Sequence, residues 1–207
     1  MAYSEFTTLK QAEKKLGVES QVVYLFQKPI TPATISAFLA NDLAEAKEIP
    51  MSSEKAKSEA IIMPVLKEIK RQRKDFNFYS GYTFDVDSQL SLTGVCDYLL
   101  TFRPDKEEIT APIFCLVEAK NRTIEEGLGQ CVAEMYAAKL FNEQEGENIP
   151  CIYGCVTTAY EWRFLKLEDT KVFIDREYYY INQITEILAI LLQIFDTAKS
   201  KELKNKP

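Results

Sequence analysis

An acid and a base stand two residues apart at the end of an apolar run. Glu118 and Lys120 directly follow the five apolar residues 113–117. Such a run is typical of a strand buried on both faces, and residues two apart on a strand point to the same side. Charges at that position are unfavourable unless they are paired or bind a ligand. Asp97 interrupts a second apolar stretch, GVCDYLL, so these three residues are the first candidates for a chemical site.

The two acids favour a divalent metal. If their strands pair, the Asp97 and Glu118 carboxylates converge on one point and repel each other until a cation lies between them. The sequence contains no histidine, and hard oxygen ligands favour Mg²⁺ or Mn²⁺. Such a metal polarises a phosphate oxygen and lowers the pKa of bound water. The residues therefore predict a metal-dependent phosphodiesterase site.

A third acid lies in a predicted helix. Glu59 precedes Ile62, Met63 and Leu66 by three, four and seven residues, the spacing of one helix face. The pattern predicts that Glu59 faces the sheet and binds the metal or supports its ligands. The alternative is a glutamate at the helix edge that reaches solvent.

The composition excludes several catalytic mechanisms and one class of nucleic-acid-binding protein. The five cysteines form no CxxC pair and lie in apolar contexts, which is typical of buried free thiols in a reducing compartment. The absence of histidine excludes Ser-His-Asp, Cys-His and histidine-metal mechanisms. A net charge of −6 argues against a general nucleic-acid coating protein, but not against a nuclease whose acids bind metal.

Hydrophobic periodicity predicts the elements that position these residues. Gly17 ends the first helix, Ser52 or Ser53 caps the third, and Pro64 kinks or divides it. The order predicts an α/β or α+β domain, a mixed sheet with helices on both faces. The predicted helices span 4–16, 31–46 (beginning near Pro32), 52–74, 125–144 and 182–200; the predicted strands span 21–26, 76–87, 90–103, 111–121, 150–158, 161–168 and 171–181.

At this point the sequence resembles a family. Asp97, then Glu118-Ala119-Lys120, then Gln130 in the next helix resemble the PD-(D/E)XK nuclease superfamily, which has the restriction-endonuclease-like fold. The resemblance covers about 52–165 and is nearest to the compact nuclease domains of restriction-type proteins. It departs from the family at Cys96, which stands where the family has proline.

The resemblance implies a role for each residue. Asp97 and Glu118 would bind the metal, and Lys120 would assist the attacking water. The other candidates are Gln130 beside the site, Glu59 on the metal or its water, and the Ala119 backbone carbonyl as a further ligand. The implied protein is one nuclease-like domain over 1–207, with an N-terminal helical extension (1–50), a nuclease core (52–165) and a C-terminal hairpin and helix (166–200). DNA is the expected substrate.

Basic residues near the end of the third helix are candidates for phosphate contacts. The alternative is that they are cations placed favourably at a helix C-terminus. The set comprises Lys67, Lys70, Arg71, Arg73, Lys74 and also Arg122. Arg163 is a further candidate, whereas Trp162 is expected in the core.

The sequence also predicts where the protein is located and whether it forms a dimer. No apolar run reaches the ~18 residues that a membrane span requires, and the N-terminus has no signal-peptide layout, so we expect a cytoplasmic protein. A homodimer is expected because two sites related by a twofold axis would cut both strands of a duplex.

Two alternatives remain open: an inactive nuclease-fold module that binds DNA or a protein partner, and an unrelated interaction protein. The C-terminal helix carries an apolar stripe that would complete the core or pair two chains: Ile184, Ile187, Leu188, Leu191, Leu192 and Phe195.

Overall fold

A computed structural model describes residues 2–147 and 149–204. The chain forms an α+β structure around an eight-stranded mixed sheet in the order β1-β7-β6-β5-β4-β3-β2, with β8 added beside β6. The strands are β1 (Glu19–Val23), β2 (Asn77–Thr83), β3 (Val95–Thr101), β4 (Ile113–Ala119), β5 (Ile152–Thr157), β6 (Glu161–Glu168), β7 (Lys171–Asp175) and β8 (Tyr179–Tyr180). The helices are α1 (Leu9–Leu16), α2 (Ala37–Glu45), α3 (Glu54–Lys57), α4 (Met63–Gln72), α5 (Glu125–Gln144) and α6 (Ile184–Lys204).

The most apolar strand lies at the centre of the sheet. Every residue of β4 is buried, because β4 pairs antiparallel with β3 on one side and parallel with β5 on the other. Its last residues, Glu118 and Ala119, lie beside Val156 and Thr157 of β5. The apolar run predicted this central strand, and the structure confirms it.

Helices cover both faces of the sheet, as predicted. One hydrophobic cluster joins α1 and α5 to the sheet through residues such as Leu16, Leu116 and Val132. The other joins α2, α4 and α6 through residues such as Leu39, Leu66 and Phe195. Helix α5 lies very close to β5: a Cβ added at Gly154 would come 2.8 Å from Cys131 Sγ. This close packing holds the first half of α5 against the sheet.

The C-terminal helix completes the core. Five residues of the apolar stripe are buried in the second cluster and Ile184 is partly buried against it. That stripe is therefore not available to pair two chains. All five cysteines are buried and free, as expected, and Trp162 is completely buried.

The third predicted helix is interrupted by a π-helical segment. Ser53 caps α3 by accepting a hydrogen bond from the Ala56 amide, and a π-helix over Ser58–Ile62 leads into α4. Pro64 lies in the first turn of α4, and the wider π turn accommodates the amide hydrogen bond that proline cannot make. The predicted interruption at Pro64 therefore takes the form of a π segment before it.

That segment corrects the prediction for Glu59. A π turn contains an extra residue, so the 3.6-residue count no longer tells which side chains share a face. Glu59 lies on the surface with 68% of its side chain exposed, 3.9 Å from Lys55. The prediction that Glu59 faces the sheet is wrong, and the solvent-exposed alternative is right.

Other boundaries also differ from the prediction. Helix α2 begins at Ala37 rather than near Pro32, because the Ser36 hydroxyl caps it by accepting from the Leu39 amide. The first strand is Glu19–Val23 instead of 21–26, and it forms the sheet edge beside β7. The first helix begins at Leu9 instead of at residue 4, and Gly17 ends it as predicted. No helix in the described part of the chain is both long enough and apolar enough to cross a membrane.

Candidate active site

The structure brings the two strand acids together. Tyr98 pairs with Val117 and Leu99 with Leu116 across β3 and β4, which sets Asp97 beside Glu118. Asp97 Oδ2 accepts a hydrogen bond of 2.8 Å from the Ala119 amide. One oxygen of Asp97 is thus tied to β4, and this tie orients the carboxylate toward Glu118.

Lys120 lies between an acid of β4 and an amide of α5. Its Nζ forms an ion pair with Glu118 Oε1 and donates a 3.1 Å hydrogen bond to Gln130 Oε1. Gln130 Nε2 in turn donates to Glu134 Oε1 at 3.0 Å. This chain of contacts fixes which end of the Gln130 amide faces Lys120, and it holds the ammonium beside the two strand acids.

Glu134 belongs to this site although the sequence reasoning did not select it. It is completely buried and follows Gln130 by four residues, so both side chains lie on one face of α5. Its carboxyl group interacts directly with that of Glu118. Glu118 Oε2 and Glu134 Oε2 are buried, and neither has a hydrogen-bond partner among residues 2–147 and 149–204. The only signal in the sequence was the four-residue spacing from Gln130.

The carboxyl groups are forced toward their protonated forms. Burial, and then repulsion by Glu134 and Asp97, raises the pKa of Glu118 well above its usual value. Burial raises the pKa of Glu134 to about 7. Burial also raises the pKa of Asp97, although the Ala119 amide opposes this shift. A positive charge placed among these groups would relieve the repulsion.

Lys120 supplies one such charge. Burial disfavours its charged form, but the Glu118 carboxylate beside it outweighs that effect, and the pKa of Lys120 is raised. The ammonium therefore stays protonated at neutral pH. It can neutralise only one of the three neighbouring acids, so the other two must hold a proton or bind a cation.

The first turn of α3 borders the site. Glu54 raises the pKa of Lys120 through its charge, and Lys57 Nζ donates to the Asn121 carbonyl at 2.6 Å and to Asn121 Oδ1 at 3.1 Å. The helix acid that acts on Lys120 is thus Glu54, five residues before the predicted Glu59. The Ser53 cap marked this turn in the sequence, but the periodicity favoured Glu59.

Three of the six predicted phosphate-binding cations are engaged elsewhere in the protein. Arg73 forms two hydrogen bonds with Asp196, at 2.8 and 2.7 Å, Arg71 pairs with Glu68, and Lys70 donates to backbone carbonyls, including that of Phe76. The end of α4 is also roughly 20 Å along the helix axis from Lys57. For these three residues, the contacts favour the alternative that the cations are placed favourably at a helix C-terminus and do not bind phosphate. Lys67, Lys74 and Arg122 are exposed.

Arg163 is likewise engaged within the protein. It is buried, and it donates to the Asp175 carbonyl at 3.0 Å and to the Tyr178 hydroxyl at 2.7 Å. Tyr178 donates onward to Glu125 Oε1 at 2.8 Å. Arg163 therefore joins β6 and β7 to the start of α5, and it is not a free cation for substrate.

Asp97 and Glu118 are the residues that could hold a hard cation such as Mg²⁺ or Mn²⁺. In the described residues, no group of three or more histidine, cysteine or acidic side chains is arranged to hold a metal. Mg²⁺ does not require such a cage, because it commonly binds one or two carboxylates and completes its shell with water and substrate phosphate. Asp97 and Glu118 are two adjacent carboxylates, and Glu118 Oε2 is buried without a partner. This unsatisfied oxygen is the observation that fits a cation.

Comparison with known proteins adds no family assignment. No family model matches the chain, and no curated protein matches it either. The chemistry of the site rests on Asp97, Glu118 and Glu134 together with Lys120 and Gln130, which lie between β3, β4 and α5.

Proposed function

We propose that this chain is a Mg²⁺- or Mn²⁺-dependent nuclease that hydrolyses phosphodiester bonds, with DNA as the expected substrate. The single observation that carries the proposal is the meeting of Asp97, Glu118, Lys120 and Gln130 at one point. Charges of opposite sign are concentrated there at the end of the most buried strand, where a purely structural role would favour apolar residues.

The arrangement of elements supports the restriction-endonuclease-like fold. Helices α3 and α4 are followed by the antiparallel strands β2, β3 and β4, then by α5 and the parallel strand β5. The same order of a helix, three strands, a helix and a strand was predicted from the sequence over the residues that resemble the nuclease superfamily. We propose the specific fold on that order together with the placement of the acids.

The metal would bind Asp97 and Glu118, where it would neutralise phosphate charge and make a bound water more acidic. Asp97 keeps one oxygen on the Ala119 amide and leaves the other for the cation. The Ala119 carbonyl stays a predicted ligand. Glu54 replaces Glu59 as the helix acid proposed to support the metal or its water, because Glu54 is the acid whose charge acts on Lys120.

Lys120 acts on the reacting phosphate as a cation. Its ammonium, held by Glu118 and Gln130, donates hydrogen bonds that orient the attacking water and stabilise charge that develops on the phosphoryl oxygens. The water oxygen bonds to phosphorus as the bond to the leaving oxygen breaks. Water loses a proton to solvent, and the leaving oxygen takes one up.

Cleavage assays with a matched lysine variant test the proposal. Plasmid and single-stranded DNA are incubated with Mg²⁺, Mn²⁺ or EDTA, using the wild type, Lys120→Met and Lys166→Met. Lys166 is the control because it also pairs with a glutamate two residues away on a strand, at 3.0 Å from Glu168, but on β6. We expect metal-dependent cleavage that Lys120→Met lowers by about 10²–10³ and that Lys166→Met preserves. Absence of cleavage with every metal would contradict the proposal.

The alternative function is an inactive nuclease-fold module that binds DNA or a protein partner. One observation favours it: the Lys120 ammonium is engaged in an ion pair with Glu118. In that case the protein would still bind DNA in EDTA, and it would not cleave DNA with either Mg²⁺ or Mn²⁺.

A homodimer and a cytoplasmic location stay predictions. The dimer follows from the need to cut two strands, and its interface must be a surface other than the buried stripe of α6. Light scattering at assay concentration should give twice the mass of the chain. A monomer would remove the dimer and leave the nuclease proposal standing.

A further inference from the structure

We infer that Tyr160 is a stacking platform for an unpaired nucleotide base, and that the substrate therefore carries single-stranded or frayed nucleic acid beside the cleaved bond. This assignment rests on the proposed function for the position of the cleaved bond. The binding it describes can be measured without catalysis.

Tyr160 lies beside the candidate site because of the strand register. Thr157 at the end of β5 pairs with Ala119, and its carbonyl accepts a 2.8 Å hydrogen bond from the Lys120 amide. The turn between β5 and β6 therefore begins next to Lys120. Tyr160 is three residues beyond Thr157, on the same edge of the sheet.

The turn holds the tyrosine in a fixed position. The Thr158 amide donates to the Glu161 carbonyl at 3.0 Å, and the Trp162 indole donates to the Ala159 carbonyl at 2.9 Å. The Tyr160 carbonyl accepts from the Ile181 amide at 2.8 Å. Ala159 has a φ of 73°, a left-handed conformation that is unfavourable for a residue with a Cβ and persists only where the surroundings impose it. A turn whose backbone is already fixed loses little freedom when a ligand binds.

The ring is exposed and has a cation next to it. Tyr160 is 43% exposed, whereas Ala159 directly before it and Trp162 two residues after it are buried. Lys57 Nζ lies 5.8 Å from the centre of the Tyr160 ring and donates to the Asn121 carbonyl. Lys57 thus connects the ring to the residue that follows Lys120. An aromatic face with an adjacent ammonium matches the two parts of a nucleotide, the base and the phosphate.

The space next to the ring suits a base. A cavity of about 430 Å³ is lined by Tyr160, by apolar side chains such as Ile35, Leu43, Ile61 and Ile181, and by Lys47. This volume lies within the ordinary range for small-molecule sites. The exposed Lys47 and Lys57 place positive charge near the cavity of a protein whose net charge is −6. Apolar walls with adjacent cations favour an extruded base, with its phosphate outside.

Binding in EDTA tests the inference without cleavage. Fluorescence anisotropy measures the affinity for labelled single-stranded DNA, single-stranded RNA and a blunt DNA duplex. The variants are Tyr160→Ala, Tyr160→Phe, which keeps the ring, and Tyr24→Ala. Tyr24 is the matched control because it is 67% exposed and has Arg176 at 5.3 Å from its ring, but lies after β1 at the far edge of the sheet.

We expect Tyr160→Ala to weaken single-strand binding about tenfold, the effect of losing one base–aromatic stack. Tyr160→Phe and Tyr24→Ala should bind like the wild type, and duplex binding should change little. Lys47→Met should reduce the salt dependence of single-strand binding by about one phosphate contact. The DNA and RNA arms identify which single strand supplies the base.

The outcomes separate this inference from the proposed function. If Tyr160→Ala binds single strands like the wild type while Lys120→Met still abolishes cleavage, the platform is wrong and the nuclease stands. If Tyr160→Ala weakens binding but no metal yields cleavage, the platform stands and the nuclease falls. Equal loss of duplex and single-strand binding, or a change of oligomeric state in Tyr160→Ala, would overturn the platform.

Discussion

Glu134 of α5 and Glu118 of β4 bury two carboxyl groups against each other. Both side chains are completely buried, and their carboxyl groups interact directly. Within the described part of the chain, neither Oε2 atom has a hydrogen-bond partner. Two ionised carboxylates in this position repel, so the pair is stable only when it holds a proton or a cation.

This pair predicts a pH dependence of stability in the absence of metal. The folded pKa of Glu134 is about 7, above its ordinary 4.5, so between these pH values the folded state holds more protons than the unfolded state. Stability must then fall as pH rises through this window. In EDTA, Glu134→Gln should raise the melting temperature at pH 8 by about 5 °C, with much less gain at pH 5.

Thermal unfolding followed by circular dichroism from pH 5 to pH 8 checks this expectation. Glu143→Gln is the matched control, because Glu143 lies on the same helix but is exposed and pairs with Lys139. An equal gain at both pH values would attribute the effect to packing and remove the charge explanation.

Metal should stabilise the native protein through the two strand acids. A cation that binds only the folded state raises stability by roughly 2.7 kcal/mol at one hundred times its dissociation constant. We expect Mg²⁺ or Mn²⁺ to raise the melting temperature of the wild type. Asp97→Ala and Glu118→Ala should abolish this response while keeping the fold, because each removes one of the two carboxylates that would bind the ion. A metal response that survives in both variants would place the ion elsewhere.

Glu54 and Glu59 give opposite expectations for cleavage. Glu54 acts on Lys120 through its charge, whereas Glu59 is exposed near Lys55. Glu54→Gln should lower kcat by about tenfold, within the range expected when a supporting ligand is lost. Glu59→Gln should stay within twofold of the wild type. Comparable losses from both substitutions in a steady-state cleavage assay would contradict the assignment of Glu54.

Gly127 keeps the start of α5 close to Lys120. An added Cβ would lie 2.6 Å from Val156 Cγ1 and 3.0 Å from Lys120 Cγ. Gly127→Ala should therefore destabilise the protein by about 1–3 kcal/mol and also reduce cleavage, because Lys120 must move. Gly146→Ala is the control: its φ is +75° with nothing within 4 Å, so it should lower stability by about 1 kcal/mol and preserve cleavage. Denaturant unfolding and cleavage rates distinguish the two variants.

Local sequence determined the elements that depend on their own residues. The apolar run of β4 and the periodicity over Glu125–Gln144 predicted a buried strand and a 20-residue helix that the structure reproduces. Ser53 also begins a helix where predicted, and Gly17 ends one where predicted. These features could be predicted because burial pattern, helix capping and the left-handed conformation of glycine act over a few neighbouring residues.

Tertiary structure decided which side chains share the site. The π segment at Ser58–Ile62 turned Glu59 to solvent, and a count of 3.6 residues per turn cannot register it. Glu134 belongs to the site because the packing of α5 on β4 places it beside Glu118. Arg73 is not free to bind phosphate because it forms an ion pair with Asp196 of α6. The sequence by itself determined which residues were charged and which strands were buried. Which charges meet depends on partners distant in the chain, and only the packing of the sheet and its helices selects those partners.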